Sequence, residues 1–557
     1  MERAVLRALL GVLVPGLLAW LAVGPGADPA SAQTSPARDV RNVQNLQNVQ
    51  KAQAVLAAGP DSALVATLAQ LPGERLQLDE AVARAARAAT AARIAEAGLQ
   101  AAGQAVRREK GAFDPELFAG ADWYGADTPS ASLFAGADVL ETETTDLTAG
   151  ARIRLPLGTE LSASLNSLRT TSNSAFAALS PEYQAFGALS LRQPLLEGFG
   201  PAARADLTAA ERSLAGAGAR YDAARLAVRA EVEITYWGLY AAERNHAVTR
   251  LISDRARAFL EDAQLRARAG IIGPSQVANA EFFLSDAEQA VLDTEEQLDL
   301  LSDRLASLTG RRPAAAQVRY RTWDAPPRDF PLVDQDVLVA ETLARNPDLL
   351  ALAAETDALR ARERGAVWDA RPTLDLLGGL GGRGLSGSAQ DVYFPGSATP
   401  VRTDIGGGRG DSFDQVFGGD YPGWNVGLVF ALPLGNREGK GERDRLRAEI
   451  VRAEQLLLGA QRVLVEDVRA QHRELERGRR RLEIAERGVA ASVRQVEIGM
   501  VEYRNGRTTA FEIVRLAADL ATAHQRYADA LVRTAGAAAL LRQLTGGWYP
   551  ATRTEED

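Results

Sequence analysis

The chain has 557 residues, with 63 lysines and arginines against 72 aspartates and glutamates, which gives a formal net charge of −9. It contains no cysteine, so disulfides and thiol chemistry are excluded. The acidic balance argues against nucleic acid as a partner. Aromatic residues make up only 6% of a chain rich in alanine, leucine, arginine and glutamate, which is a composition typical of long helices.

The first residues have the pattern of an export signal. Arg3 and Arg7 precede an apolar stretch from Ala8 to Val23, and Ala30-Ser31-Ala32 has the small-x-small pattern at which signal peptidase cleaves. The alternative, a membrane anchor, is disfavoured because the stretch is short for a bilayer that requires about 20 apolar residues. We therefore expect a signal peptide at 1–32, followed by an Asn/Gln-rich extension at 33–75 without an assigned role.

The remainder of the chain is an internal duplication. Leu308-Thr309-Gly310 recurs 236 positions later as Leu544-Thr545-Gly546, and Gly270 recurs at the same offset as Gly506. Pro194 recurs as Pro433 after 239 positions, so the helical parts match closely and the loops differ. The pattern predicts a first repeat at 76–313, a linker at 314–331, a second repeat at 332–546 and a C-terminal tail at 547–557.

Each repeat predicts the same order of elements. For the first, in chain order, these are a helix at 79–110, strands at 116–124 and 188–193, a long helix at 202–269 and a helix at 274–309. The long helix would span 68 residues, or about 100 Å, and the two shorter ones together match its length, so they could lie end to end along it.

The second repeat follows the same order. It predicts a helix at 334–367 bent by Pro347, strands at 373–377 and 425–430, a long helix at 439–505 and a last helix that ends at the second Leu-Thr-Gly. Within the long helix the apolar positions recur every seven residues, which indicates a coiled-coil seam: Val468, Leu475, Leu482, Val489, Val496 and Tyr503.

Four main strands cannot close a membrane barrel, because the smallest such barrels have about eight. Three chains of four strands would give twelve, so the sequence predicts that several copies contribute. Two further segments, a candidate hairpin at 147–168 and a Gly-rich loop at 378–423, are interpreted as extracellular decoration at the barrel rim. For the Gly-rich loop, disorder is the alternative.

Several local motifs, in the same order twice, resemble the TolC-like outer-membrane efflux protein family. They are Leu76-Gln77-Leu78-Asp79-Glu80-Ala81, Ala344-Arg345-Asn346-Pro347-Asp348-Leu349, Gln193-Pro194-Leu195-Leu196, Leu432-Pro433-Leu434-Gly435 and the two glycine turns. The resemblance covers 76–546. It implies a mostly α protein with membrane β structure, in which duplicated coiled-coil hairpins form an α-barrel and four strands per protomer complete a 12-stranded trimeric β-barrel.

The resemblance also implies a function. The homotrimer would be a passive exit duct of a tripartite efflux or type I secretion system, in contact with outer-membrane lipid and extending into the periplasm. It would dock on a periplasmic adaptor and an inner-membrane pump, without catalysis, cofactor or metal. The exported substrate is not readable from the sequence.

The same resemblance assigns roles to the two periplasmic tips. A gate is expected at Tyr503, Glu512 and Arg515, with a latch from Tyr503 to Gln276 or Ser275. Arg515 departs from the family's second acid, and Glu512 and Arg515 could simply pair on the helix surface. Adaptor-docking turns are expected at Gly270, Ile271, Ile272, Gly273, Gly506, Arg507 and Thr508. The alternative is that these glycines only shape the turns.

Other classes are disfavoured. The run from Gly379 to Gly384 fits G-x-G-x-x-G, but no helix is predicted after it to bind a pyrophosphate. His246, His472 and His524 lack metal-ligand spacing. The remaining alternative is a periplasmic coiled-coil adaptor, which would have one helical hairpin flanked by compact β domains.

Overall fold

The computed structural model describes residues 60–132, 135–314, 319–327, 329–394, 396–505 and 507–550. The predicted signal peptide and most of the Asn/Gln-rich extension therefore lie outside the described residues, as does Gly506. All described residues belong to one unit, Ala58–Asp557.

The helices and strands follow the duplicated order. In the first half they are α1 Pro60–Gln70, β1 Glu74–Leu76, α2 Leu78–Ala88, α3 Thr90–Lys110, β2 Glu116–Pro129, β3 Val139–Arg154, β4 Glu160–Ser172, β5 Leu179–Pro194, α4 Ala205–Arg268 and α5 Pro274–Thr309. In the second they are β6 Tyr320–Thr322, α6 Gln335–Arg345, α7 Pro347–Asp369, β7 Thr373–Ala389, α8 Arg409–Gly418, β8 Pro422–Ala431, α9 Arg437–Arg504 and α10 Ala510–Leu544.

The two long helices have the predicted length and packing. α4 has 64 residues and α9 has 68, so each extends about 100 Å. The short helices α2, α3 and α5 all pack along α4, as the matching lengths predicted. The predicted seam of α9 is buried at Val468, Leu475, Leu482 and Val496.

The opening helix of the first repeat is interrupted, which the sequence did not predict. Ala89 has an extended ψ of 127° between α2 and α3, and Asn346 has a ψ of 122° at the predicted break before Pro347. Gly310 of the first Leu-Thr-Gly lies at the Ala89 break, where a Cβ on it would come within 2.6 Å of the Ala88 Cβ. The end of α5 is therefore docked at a break that no proline marks.

The middle of α4 is enclosed by segments from the extension and the linker. β1 and β6 pair in parallel beside it. The Tyr236 hydroxyl accepts hydrogen bonds from the backbone N–H groups of Trp323 and Asp324, at 3.0 and 3.1 Å, and donates to the Leu76 carbonyl at 2.7 Å. Tyr549, from the predicted tail, is also buried, and its hydroxyl donates to the Pro331 carbonyl at 2.7 Å.

The strands form one antiparallel sheet of six, in the order β2-β3-β4-β5-β7-β8. The prediction of four strands per protomer is therefore wrong. The candidate hairpin at 147–168 does form strands, as its alternation indicated, but it is not rim decoration. Its turn lies at the helix end of the sheet, where the Gly200 N–H donates to the Leu157 carbonyl at 3.1 Å.

The Gly-rich segment is mostly regular structure, so the disordered alternative does not hold for it. β7 runs to Ala389, and α8 packs against β5 and β7. The Gln415 side chain accepts from the Leu385 N–H at 2.8 Å and donates to the Leu385 carbonyl at 3.1 Å. A Cβ at Gly384 would overlap the Ser412 carbonyl, which explains why glycine stands there. The G-x-G-x-x-G run lies within β7.

Among the helices described, none carries a stretch long and apolar enough to cross a lipid bilayer.

Candidate functional site: the sheet faces and the helix tips

The sheet has one face of mainly apolar side chains, here called the apolar face. Since side chains alternate along a strand, the pairing registers place these residues together: Leu117, Ala119, Ala121, Trp123, Leu147, Ala149, Ala151, Ile153, Leu161, Ala163, Leu165, Leu189, Leu191, Leu374, Leu376, Leu380, Trp424, Val426, Leu428 and Phe430. Many of these side chains are exposed: Leu117 is 84% exposed, Trp123 77% and Trp424 78%. An exposed apolar surface of this extent marks a contact with lipid or protein.

The opposite face, here called the polar face, carries charged and hydroxyl side chains. Its members include Glu116, Asp146, Thr148, Arg152, Glu160, Ser162, Ser164, Asn166, Ser190, Arg192, Asp375 and Arg383. Arg152 donates two hydrogen bonds of 2.8 Å to Glu116. Arg192 joins Asp375 at 2.8 Å and Glu160 at 3.2 Å. A sheet apolar on one side and ion-paired on the other suits a wall between lipid and water.

At the helix end short connections, 195–204 and 432–436, lead from β5 and β8 into the long helices. The Leu195 N–H donates to the Leu374 carbonyl at 2.8 Å, beyond the last paired residues of β5. In the second repeat, Asn436 adopts a φ of 44° before α9, and its side chain donates to the Ala370 carbonyl at 2.5 Å. The first bond extends the pairing of β5 with β7, and the second ties the start of α9 to the end of α7.

The two tips share an equivalent backbone hydrogen bond. The Ile271 N–H donates to the Arg266 carbonyl at 2.9 Å, and 236 positions later the Arg507 N–H donates to the Glu502 carbonyl at 2.8 Å. Gly270 has a φ of +74°, in the left-handed region that favours glycine. Ile271 is 70% exposed at the first tip, with Ile272 and Gly273 beside it. Exposed residues beside this bond, Ile271 at the first tip and Arg507 at the second, leave both tips accessible to a partner.

Tyr503 is held within the chain by a residue that the sequence did not single out. The Arg266 guanidinium donates to the Tyr503 hydroxyl at 3.3 Å and pairs with Asp262 at 2.8 Å. In one chain the hydroxyl thus faces α4 rather than the start of α5, and the bond from Tyr503 to Gln276 stays a prediction. Ser275 and Gln276 lie exposed in the first turn of α5. Partial burial raises the pKa of the Tyr503 hydroxyl.

Glu512 and Arg515 form the helix-surface pair that was the alternative to a gate. The guanidinium donates to the carboxylate at 3.0 and 2.5 Å, and both side chains are exposed. This bond holds the pKa of the Glu512 carboxyl below its usual range. Thr509 caps the helix by accepting from the Glu512 N–H. In a single chain the charge of Glu512 is therefore locally neutralised.

Two features of these surfaces could not be read from the sequence. The polar-face ion pairs join residues 32 to 183 positions apart, so no local motif marks them. Arg266 lies in an arginine-rich helix where nothing distinguishes it from its neighbours. No group of His, Asp and Glu side chains in the described part of the chain could hold a metal ion.

The fold and these surfaces define a class: β strands with a lipid-compatible face, continuous with paired long helices. The profile of the outer membrane efflux protein family matches residues 151–311 and 338–547. The chain therefore belongs to that family, and the resemblance noted in the sequence is confirmed.

Solved structures show the same fold. The outer-membrane channel OprN has a TM-score of 0.59 at 17% identity, over 87% of this chain and 96% of that one. The CmeC channel of Campylobacter jejuni has a TM-score of 0.58 at 15% identity, over 86% and 87%. The open MtrE channel of Neisseria gonorrhoeae has a TM-score of 0.54 at 17% identity, over 86% and 91%.

A curated relative adds a biological context. The fusaric acid resistance protein FusA of Burkholderia cepacia is 28% identical over 252 residues, which are 44% of this chain and 41% of that protein. The matching region thus spans about two fifths of the relative's length.

Proposed function

We propose that this chain is the outer-membrane exit duct of a tripartite export system, acting as a homotrimer without catalysis of its own. The observation that carries the proposal is the two-faced sheet. Its apolar face is widely exposed, with Leu428 at 68% and Phe430 at 63%, while its polar face is ion-paired. In an outer membrane the first would contact lipid and the second would line a water-filled passage.

The helices support assembly with further copies. α9 exposes Val451 at 58%, Leu456 at 55% and Val463 at 57%, and α3 exposes Ile94 at 68%. Within one chain α4 packs against both α3 and α7, whereas α9 packs against α7 and α6. Duplicated halves would make equivalent contacts if the open side of α9 received α3 of another copy. The resulting ring of helices would be the periplasmic tunnel.

The tips would contact the adaptor and close the idle tunnel. We assign docking to the turns at Gly270, Ile271, Ile272 and Gly273 and at Gly506, Arg507 and Thr508. Tyr503 and Arg266 would hold the two tips of one chain together in the closed state. Glu512 would line the constriction, but its pairing with Arg515 would weaken a negative ring around the threefold axis.

We propose a class of exported cargo on the basis of the curated relative. A resemblance to a fusaric acid resistance protein favours export of a toxic small molecule over secretion of a polypeptide. Disruption of the gene should then sensitise cells to small organic acids, measured as growth inhibition, while protein secretion stays unchanged. Loss of a secreted protein without sensitisation would favour type I secretion instead.

Imaging the detergent-extracted protein by electron microscopy tests the duct itself. We expect threefold particles with a helical section near 100 Å long, as the helix lengths require. A particle that leaves the membrane without detergent and lacks threefold symmetry would contradict the duct and support the alternative, a periplasmic coiled-coil adaptor.

A further inference from the structure

We infer that the membrane barrel of this channel has eighteen strands, closed by pairing β8 of each copy with β2 of the next. The inference rests on the proposed trimer and adds what the twelve-stranded expectation lacks: the β3–β4 hairpin is part of the wall. Three copies of six strands make eighteen, an even number that an antiparallel barrel can close.

The hairpin is continuous with the sheet on both sides. Thr142 to Arg154 of β3 pairs without a break with Ser172 to Glu160 of β4. β3 also pairs with the whole of β2, and β4 pairs with β5. β3 has 16 residues and β4 has 13, and each exceeds the 9–11 residues, roughly, that a tilted strand needs to cross a bilayer.

The two faces of the hairpin match those of the rest of the sheet. Ala149 and Ala151 of β3 and Ala163 and Leu165 of β4 lie on the apolar face. Thr148 and Asp146 face the other way, where Asn166 donates to both at 3.0 and 2.7 Å. A hairpin folded into solvent as decoration would have no reason to keep the alternation of a membrane wall.

The polar face also runs across the hairpin as one set of bonds. Arg152 of β3 holds Glu116 of β2, and Glu160 of β4 is held by Arg192 of β5, which also binds Asp375 of β7. Removing β3 and β4 from the wall would leave Glu116 without its partner and Arg192 with one partner fewer. The charges on the polar face are thus arranged for a wall that includes the hairpin.

The edges of the sheet require another copy of the chain. β2 and β8 are the outer strands, and their residues are exposed almost throughout. The five antiparallel steps between them make β2 and β8 run in opposite directions, so β8 of one copy can pair antiparallel with β2 of the next. In hydrocarbon an unpaired strand edge is not tolerated, and six strands are too few to close alone.

The extra strands widen the passage. At a strand spacing of about 4.8 Å and a tilt of about 40°, a barrel of twelve strands is about 24 Å across between backbones and one of eighteen about 36 Å. The duct would therefore admit a bulkier solvated cargo through the outer membrane than a twelve-stranded relative of the same length.

Disulfide cross-linking in the full-length, membrane-inserted protein tests whether β8 of one copy pairs with β2 of the next. Because the chain has no native cysteine, only the introduced cysteines can form a disulfide. Single cysteines at Ala119 or Ala121 of β2 are combined with single cysteines at Val426 or Leu428 of β8, all on the apolar face. Two matched pairs accompany them. Ala163→Cys with Leu189→Cys joins neighbouring residues of β4 and β5, whereas Ala119→Cys with Leu189→Cys spans β2 and β5.

We expect oxidation to give covalent trimers for at least one β2–β8 combination and a link within one chain for the β4–β5 pair. The β2–β5 pair should not link, because the two intervening strands hold it about 14 Å apart, well beyond disulfide reach. Electron microscopy of the same protein should show a barrel about one and a half times as wide as a twelve-stranded one.

A β2–β5 link within one chain, or a barrel of twelve strands, would overturn the inference by showing that the hairpin lies outside the wall, while the proposed duct would stand. Trimers on a native gel without any β2–β8 link would also overturn it. Absence of trimers altogether would sink the proposed function as well.

Discussion

Glu243 is a buried carboxylic acid in the middle of α4, only 5% exposed. It accepts hydrogen bonds from the Thr322 N–H at 2.7 Å and the Thr322 hydroxyl at 3.0 Å. Burial outweighs these bonds and raises the pKa of Glu243 to about 7, from an ordinary value of 4.5. The folded protein therefore holds this proton at a pH where the unfolded chain has lost it.

Replacing Glu243 by glutamine should change the pH dependence of stability. Because the folded pKa is the higher one, the wild-type free energy of unfolding should fall as pH rises from about 4.5 to about 7, by about 3 kcal/mol at most. Glu243→Gln should lose that slope and exceed the wild type at pH 8. Thermal unfolding at pH 4.5, 6 and 8 measures this, with Glu211→Gln, an exposed acid of the same helix, as control. If the stabilities of wild type and Glu243→Gln changed in parallel with pH, the proposed role of the Glu243 proton would be disproved.

Tyr503→Phe isolates the hydroxyl that Arg266 binds. The ring, which packs against the cluster of Val496, Met500, Ile513 and Leu520, would stay in place. Loss of one hydrogen bond worth about 1 kcal/mol should raise the ratio of open to closed channels about fivefold. The open probability in single-channel recordings from planar bilayers measures this ratio, with Tyr221→Phe, far from the tip, as the matched loss of a hydroxyl. An unchanged open probability would rule out a latch at this site.

At the scale of elements, the two Leu-Thr-Gly ends each dock at a break between two short helices. Gly310 lies at Ala88, whereas Gly546 lies at Arg345, where an added Cβ would come within 2.6 Å of the Arg345 carbonyl oxygen. The Asn346 side chain also donates to the Leu544 carbonyl at 3.0 Å. Both glycines have positive φ, at +68° and +65°. The docked ends therefore tie the last helix of each repeat to its first.

Gly310→Ala should destabilise the protein by more than about 1 kcal/mol, because it combines a left-handed backbone with a steric overlap at Ala88. The control is Gly488→Ala in α9, where an added Cβ meets nothing within 4 Å. That change should stabilise by about 0.5–1 kcal/mol through helix propensity. Thermal unfolding compares the two variants. Equal midpoints would show that the docked end contributes nothing.

At the scale of the whole molecule, a substitution in the first tip tests whether export requires a partner that docks there. Gly270 has open space around it but a φ of +74°, so a substitution strains only the turn. Gly270→Leu should abolish resistance to the exported compound while trimers persist on a native gel. Gly270→Asn, which tolerates the left-handed region, should keep resistance. If Gly270→Leu dissociates the trimer instead, the glycine has a structural role and the proposed docking role is wrong.

Periodicity determined much of this architecture in advance. Apolar spacing predicted α5 at its observed bounds, the two long helices to within a few residues and the buried seam at Val468, Leu475 and Val496. Alternation also located the strands, including both strands of the hairpin. These signals are local, because a helix or strand must bury one face wherever it packs. The repeated offset of 236 positions revealed the internal duplication from the sequence alone.

Only the tertiary structure decided which elements meet. Gly310 lies against Ala88 at the break, Tyr503 bonds to Arg266, and Glu116–Arg152 and Glu160–Arg192 join the hairpin to its neighbouring strands. Each of these contacts joins residues distant in the chain, and single-sequence spacing carries no record of such pairing. The number of strands in the sheet of one chain was predicted wrongly for the same reason: alternation identifies a strand, but its hydrogen-bonded neighbours determine whether it belongs to the sheet.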